Sequence, residues 1–127
     1  MTPQRHLTAQ QYREQHGLTI TPTRPIRQAR QMNKLEARYA AHLDILKAAG
    51  DVNWWAYEAV KLRLADNTFY TPDFIVWTKD WHLDIHETKG WLREDANVKF
   101  KVAKEMFPIF GFRMLFFQGG RWQERRL

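Results

Sequence analysis

The order of apolar patterns in this chain predicts a mixed α/β fold. One helix, three meandering strands, a second helix and a last strand follow in turn, with the helices flanking a mixed β-sheet. Three observations predict it. Leu35, Tyr39, Leu43 and Leu46 recur at helical spacing. Ile75-Val76-Trp77 and the pair Leu83 and Ile85 flank a short polar turn at Lys79-Asp80, the pattern of an antiparallel hairpin. A second helical stretch then leads to the apolar run Phe112–Phe117, a strand–helix–strand crossover expected to be parallel and right-handed.

Residues 1–32 read as a basic, partly structured arm, and residues 33–127 as the folded domain. Thr8 through Gln15 fits a short helix capped by Thr8, and Thr21-Pro22-Thr23-Arg24-Pro25 breaks regular structure as a linker. The first domain helix runs from Asn33 to Ala49 and ends at Gly50. Asn33 followed by Glu36 three residues later is a capping-box spacing. Val52–Leu64 reads as the first strand, in which Val60, Leu62 and Leu64 alternate with Lys61 and Arg63. Asp66-Asn67 turns the chain back into the strand carrying Asp73. On the strand after Lys79-Asp80, Leu83, Ile85, Glu87 and Lys89 share a face, with the first two packing inward. Trp91-Leu92-Arg93 connects to a helix opened by Glu94-Asp95 and closed before Pro108. Val98, Val102 and Met106 form its apolar stripe, with Lys99, Lys101 and Lys104 off it. Gly111–Phe117 is a buried strand, after which Gly119-Gly120 turns into the tail Arg121-Trp122-Gln123-Glu124.

A chain of 127 residues suits one domain with one modest core. It contains no cysteine, which excludes disulfides and thiolate metal sites. No apolar run is long enough to cross a bilayer and no secretory apolar segment opens the chain, so the expected location is the cytoplasm and no membrane partner is expected. The net charge of +6 is concentrated in residues 1–34, which hold six basic side chains against Glu14 alone. The basic groups Arg24, Arg27, Arg30 and Lys34 read as phosphate contacts, the competing reading being a solvated tail.

The residues that bear chemistry end two adjacent strands. Asp73 and Glu87 supply carboxylates and Lys89 an ammonium, a hard-oxygen cation site with a positive group beside it. Charges at such positions are costly unless paired or bound to metal. Their bland reading is a turn cap and an exposed ion pair. His86 alternates to the opposite face from Glu87 and is left out of the site. The other histidines show no ligand spacing, and the six tryptophans read as core and sheet-face residues. Glu58 is a second candidate carboxylate, but its preferred reading is an exposed strand residue or a partner of Lys61 or Arg63.

Tyr70-Thr71-Pro72-Asp73-Phe74 followed by Glu87-Thr88-Lys89-Gly90 resembles the PD-(D/E)xK nuclease signature. Within that superfamily it is similar to phage Holliday junction resolvases of the endonuclease I type, and to short phage proteins of unknown function. The resemblance spans about residues 33–117. It implies a restriction-endonuclease-like αβββαβ core. It also implies an endodeoxyribonuclease that uses Mg²⁺, with Mn²⁺ as substitute, on branched DNA, as a homodimer in the host cytoplasm. Asp73, Glu87 and the Thr88 backbone carbonyl would ligate metal, Lys89 would act on water or phosphate, and Glu36 would complete the cluster from the first helix. Local spacing gives Glu36 a second reading as a cap. Trp91, Arg93 and Lys99 are further candidate DNA contacts. The same chemistry on another substrate (a nickase, a restriction-like enzyme or a DNA-end processor) and a non-catalytic DNA-binding module are the competing functions.

If the arm contacts phosphates, deleting residues 1–30 flattens the dependence of DNA affinity on salt. Titrating DNA across a salt series checks this, and an unchanged slope removes the arm from the interface.

Overall fold

The computed structural model describes residues 32–90 and 94–125, together with Thr8 and Gln11. The Gln11 amide donates to Thr8 Oγ1 at 3.2 Å and the Thr8 amide to Gln11 Oε1 at 3.0 Å, the reciprocal pair expected of a helix start. The rest of that segment, the proline-rich linker and the connection 91–93 lie outside the described residues.

Helix α1 (Lys34–Ala48) begins at the predicted cap. The Glu36 amide donates to Asn33 Oδ1 at 2.7 Å, and the Asn33 amide donates to Glu36 Oε1 at 3.0 Å. Strand β1 (Val52–Tyr57) follows and stops seven residues short of the predicted end. The chain breaks at Glu58, which adopts φ +44°, and its amide donates to the Asp73 carbonyl at 2.8 Å. Residues beyond it form a separate hairpin of β2 (Leu62–Ala65) and β3 (Thr68–Tyr70) about the Asp66-Asn67 turn. The alternation seen in the sequence is therefore real but belongs to this hairpin, which buries Leu62 and Tyr70.

Strands β4 (Phe74–Thr78) and β5 (Leu83–Thr88) form the predicted antiparallel pair. Helix α2 (Glu94–Met106) ends before Pro108, and β6 (Gly111–Gln118) returns parallel to β5. The expected tail is instead a further strand, β7 (Arg121–Arg125), antiparallel to β6. Gly119 and Gly120 both take positive φ, 60° and 75°, which matches the twist of a two-residue hairpin turn. The main sheet has the order β1-β4-β5-β6-β7, so the molecule is α+β with a mixed five-stranded sheet and a second, two-stranded one. Among the described residues no helix is long and apolar enough to cross a membrane.

Helix α1 covers one face of the sheet, where Tyr39, Ala40 and Leu43 pack with Phe74, Val76 and Leu115. Helix α2 and the β2–β3 hairpin cover the other, where Phe100, Ala103, Leu62 and Tyr70 pack with Ile75, Ile85 and Met114. The stripe predicted to be buried on α2 faces out: Val98, Val102 and Met106 are 59%, 37% and 48% exposed. Phe100 and Ala103 are inside instead, with Phe107 packed beside them, because aromatic rings bury more apolar area than the valines. Leu83 is also exposed rather than inward, since it opens β5 next to the exposed turn 79–82. Of the tryptophans, Trp81 is fully on the surface of that turn and stacks edge-on against Trp77.

Beneath α1 a chain of polar contacts runs from the buried Tyr39, His86 and Asp84 out to the exposed Arg113. The His86 Nδ1 is 2.6 Å from the Tyr39 hydroxyl, its Nε2 is 3.4 Å from Asp84 Oδ2, and Arg113 Nε lies 3.6 Å from the same oxygen. These bonds let Asp84 stay ionised in the interior, with the His86 hydrogen bond holding its carboxyl below the usual range. Asp84 also sits directly over Gly111, where a Cβ would fall 2.2 Å from its Oδ1. Gly111→Ala is expected to destabilise the fold by about 1–3 kcal/mol through this overlap. Denaturant unfolding of the two proteins checks it.

Candidate functional site

Three ends of regular structure meet at one end of the central strands of the main sheet. Asp73 occupies the bend just before β4, after the fully buried Pro72. Glu87 and Thr88 close β5, and Lys89 follows, its amide donating to the Leu115 carbonyl of β6 at 3.0 Å. Glu36 arrives on the first turn of α1. Alternation sends Glu87 toward the α2 side of the sheet and His86 toward Tyr39 on the α1 side, as the period of two requires. Asp73 stands between the two sides.

Its contacts tie the group together. Asp73 Oδ2 accepts the Thr88 amide and the Thr88 hydroxyl, each at 2.9 Å. The Asp73 amide donates to Glu87 Oε2 at 3.3 Å, and the same oxygen accepts the Tyr70 hydroxyl. Lys89 Nζ lies 3.3 Å from Glu87 Oε1; the glutamate is buried and the lysine reaches the surface. Glu36 Oε2 accepts the Tyr57 hydroxyl at 3.0 Å while Oε1 completes the helix cap. The two readings of Glu36 are thus not alternatives: one oxygen serves the cap and the residue also faces the carboxylates. Ligand atoms of Glu36, Glu58 and Asp73 all lie within 4.8 Å of one another.

Glu36, Asp73, Glu87, Thr88 and Lys89 are therefore neighbours. Thr88 has a role that its side chain did not announce, since its amide and hydroxyl both orient Asp73. Glu58 is half-buried just past the end of β1, not an exposed strand residue. Arg63 pairs with Asp66 at 3.2 Å and Lys61 lies over the Phe69 ring, whereas Glu58 joins the acidic group. Only the backbone break after Tyr57 puts it there, and no periodicity announces a break. Tyr70 enters the sequence reading only as part of the motif before Asp73 and Tyr57 only as a strand residue; their contacts with Glu87 and Glu36 are visible only in three dimensions.

Of the wider candidates, Lys34 and Lys99 lie among the described residues. Lys34 is exposed on the first turn of α1. Lys99 is turned to the β2–β3 hairpin, donating to the Phe69 carbonyl at 3.0 Å. Arg24, Arg27, Arg30, Trp91 and Arg93 lie outside the described residues.

Electrostatics express the crowding of like charges. Burial, and then the neighbouring Glu87 charge, push the Asp73 carboxyl up to about 8; the Thr88 amide opposes this and Glu36 adds to it. Burial and the Glu87 charge also raise the Tyr70 phenol, and burial with Glu36 raises that of Tyr57, so both remain protonated donors. A group of oxygen donors carrying more negative charge than one lysine offsets fits a hard divalent cation, which would replace the proton on Asp73.

No family model matches this chain, and neither curated proteins nor solved structures give a significant match.

Because the folded carboxyl of Asp73 binds its proton more tightly than the unfolded one, it contributes stability that is complete below about pH 4 and lost as pH rises through about 8. Asp84 acts in the opposite sense, but only below that range. The melting temperature of metal-free protein is expected to fall between pH 4 and pH 8, and Asp73→Asn to flatten the fall. Thermal melts across that range check both.

Proposed function

We propose that this chain is a divalent-cation-dependent endodeoxyribonuclease of the PD-(D/E)xK type, acting on branched DNA. The observation that carries the reading is the meeting of Asp73, Glu87 and Lys89 at one end of paired strands, with Glu36 arriving from the preceding helix. The order of these residues along the chain supports it independently. Mg²⁺ or Mn²⁺ fits the oxygen donors. Asp73, Glu87 and Glu36 would hold it, together with the Thr88 carbonyl that the family resemblance implies. When bound, it would supply charge neutralisation at phosphorus and lower the pKa of water.

The chain's own groups have separable tasks in hydrolysis, in which water adds to phosphorus, a phosphorus–oxygen bond breaks and the leaving oxygen gains a proton. Lys89 reaches the surface beside Glu87 Oε1, where its ammonium can meet the negative charge that grows on the phosphate. Glu87 holds that ammonium in place. Thr88 fixes the rotation of the Asp73 carboxylate, and the cap at Asn33 fixes that of Glu36. A four-way junction is the substrate the resemblance favours, cut by a homodimer whose two sites make paired nicks. The DNA reaches the site by the basic groups of the arm.

Incubation with Mg²⁺ and labelled four-way junction, linear duplex and single strand tests this. Paired nicks confined to the junction are expected. Asp73→Asn and Lys89→Ala are each expected to slow cleavage about a thousandfold. Cutting of linear duplex keeps the hydrolysis and rejects the branched substrate; binding without cutting, indifferent to both substitutions, rejects the nuclease.

A further inference from the structure

The β2–β3 hairpin has two unlike faces. Leu62 and Tyr70 are cross-strand partners buried in the cluster with Ile75 and Ile85, and from that face Tyr70 reaches Glu87. Arg63 and Phe69 are the next pair, so the two-residue period turns them outward. Phe69 is 37% exposed, and Lys61 Nζ stands 4.3 Å from the centre of its ring. Lys99 of α2 reaches the same strand, donating to the Phe69 carbonyl at 3.0 Å. Residues 61–70 contain Asp66 as their one acidic side chain, and it pairs with Arg63. Lys61 and Lys99 therefore leave a positive excess around the ring.

We propose that this outer face is a DNA-contact surface, on which Lys61, Arg63 and Lys99 hold backbone phosphates and the Phe69 ring stacks on a base that has left its duplex stack, as at a branch point. The proposal rests on the DNA substrate of the preceding reading and names the surface that tells branched from continuous DNA. An exposed ring among cations suits an unpaired strand, because the charges track the backbone and the π face accepts any base. A continuous duplex offers phosphates to the same cations, but its stacked bases give the ring nothing to lie against. An apolar protein partner would leave the positive excess without a counter-charge. The position fits as well. Phe69 adjoins Tyr70, whose hydroxyl touches Glu87, and lies four residues before Asp73. A base held there belongs to a nucleotide beside the candidate site.

Fluorescence anisotropy of the full chain in EDTA, with labelled four-way junction and linear duplex, measures binding without cleavage. Lys61→Gln combined with Arg63→Gln is expected to weaken binding to both DNAs, and to lower the slope of log affinity against log salt by about two. Phe69→Leu keeps an apolar side chain and removes the π face. It is expected to weaken junction binding about tenfold and to leave duplex binding unchanged. Phe69→Trp, which restores a stacking face, is expected to keep the junction preference. Equal loss on both DNAs with Phe69→Leu, which a merely structural role would give, overturns the proposal, as does no loss on either. An unchanged salt slope in the double variant overturns it too. If Phe69→Leu does not fold, the salt slope and Phe69→Trp decide by the same criteria. A parent protein that binds junctions with these variant effects but cuts nothing in Mg²⁺ upholds this surface and rejects the nuclease; a parent that binds no DNA overturns both.

Discussion

Asp73 is bonded at once to the end of β1 and to the end of β5, and the arrangement around it depends on those bonds. Its carbonyl receives the Glu58 amide, its own amide reaches Glu87, and its carboxylate receives both donors of Thr88. These contacts close the ends of β1, β4 and β5 together. They also bring like charges close, which burial makes expensive. The fold tolerates the repulsion by protonating Asp73, by surrounding the carboxylates with neutral donors and by setting one ammonium beside Glu87.

The opposite side of the sheet supplies the rigidity. The Tyr39–His86–Asp84–Arg113 chain ties α1 to β5 and β6 through polar contacts that are buried as far as Asp84 and end at the exposed Arg113, while Phe74 and Tyr39 pack edge to face. Tyr39 lies one helical turn beyond Glu36, so what holds Tyr39 also limits where Glu36 can stand. His86, which has no place in the acidic group, is thus a fixed support for it. Trp122 on β7 completes the packing around Tyr39 and explains why the segment after Gly120 joins the sheet rather than trailing from it.

Several elements were legible because their signals are local. The capping box at Asn33 and Glu36, the β4–β5 pair about a polar turn, and the helix stop before Pro108 each depend on residues within a few positions of one another. Other assignments failed where two local signals competed. Helix α2 carries two apolar stripes, and the one with Phe100 and Ala103 went inward because the Phe100 ring buries more apolar area in the cluster with Ile75, Ile85 and Met114 than a valine would. The run Val52–Leu64 alternated well enough to pass for one strand, yet a left-handed residue at Glu58 divides it.

By itself, the sequence determined which residues end the central strands and on which faces they emerge, since the period of two allows no other placement. It also determined the order Glu36, Asp73, Glu87, Lys89. Only the tertiary structure decided that Glu58 joins them, that Tyr57 and Tyr70 hold their outer oxygens, and that Thr88 clamps Asp73. Those relations cross between elements remote in sequence. They arise from a backbone break and from the packing of a hairpin on a helix, neither of which leaves a periodic trace in the chain.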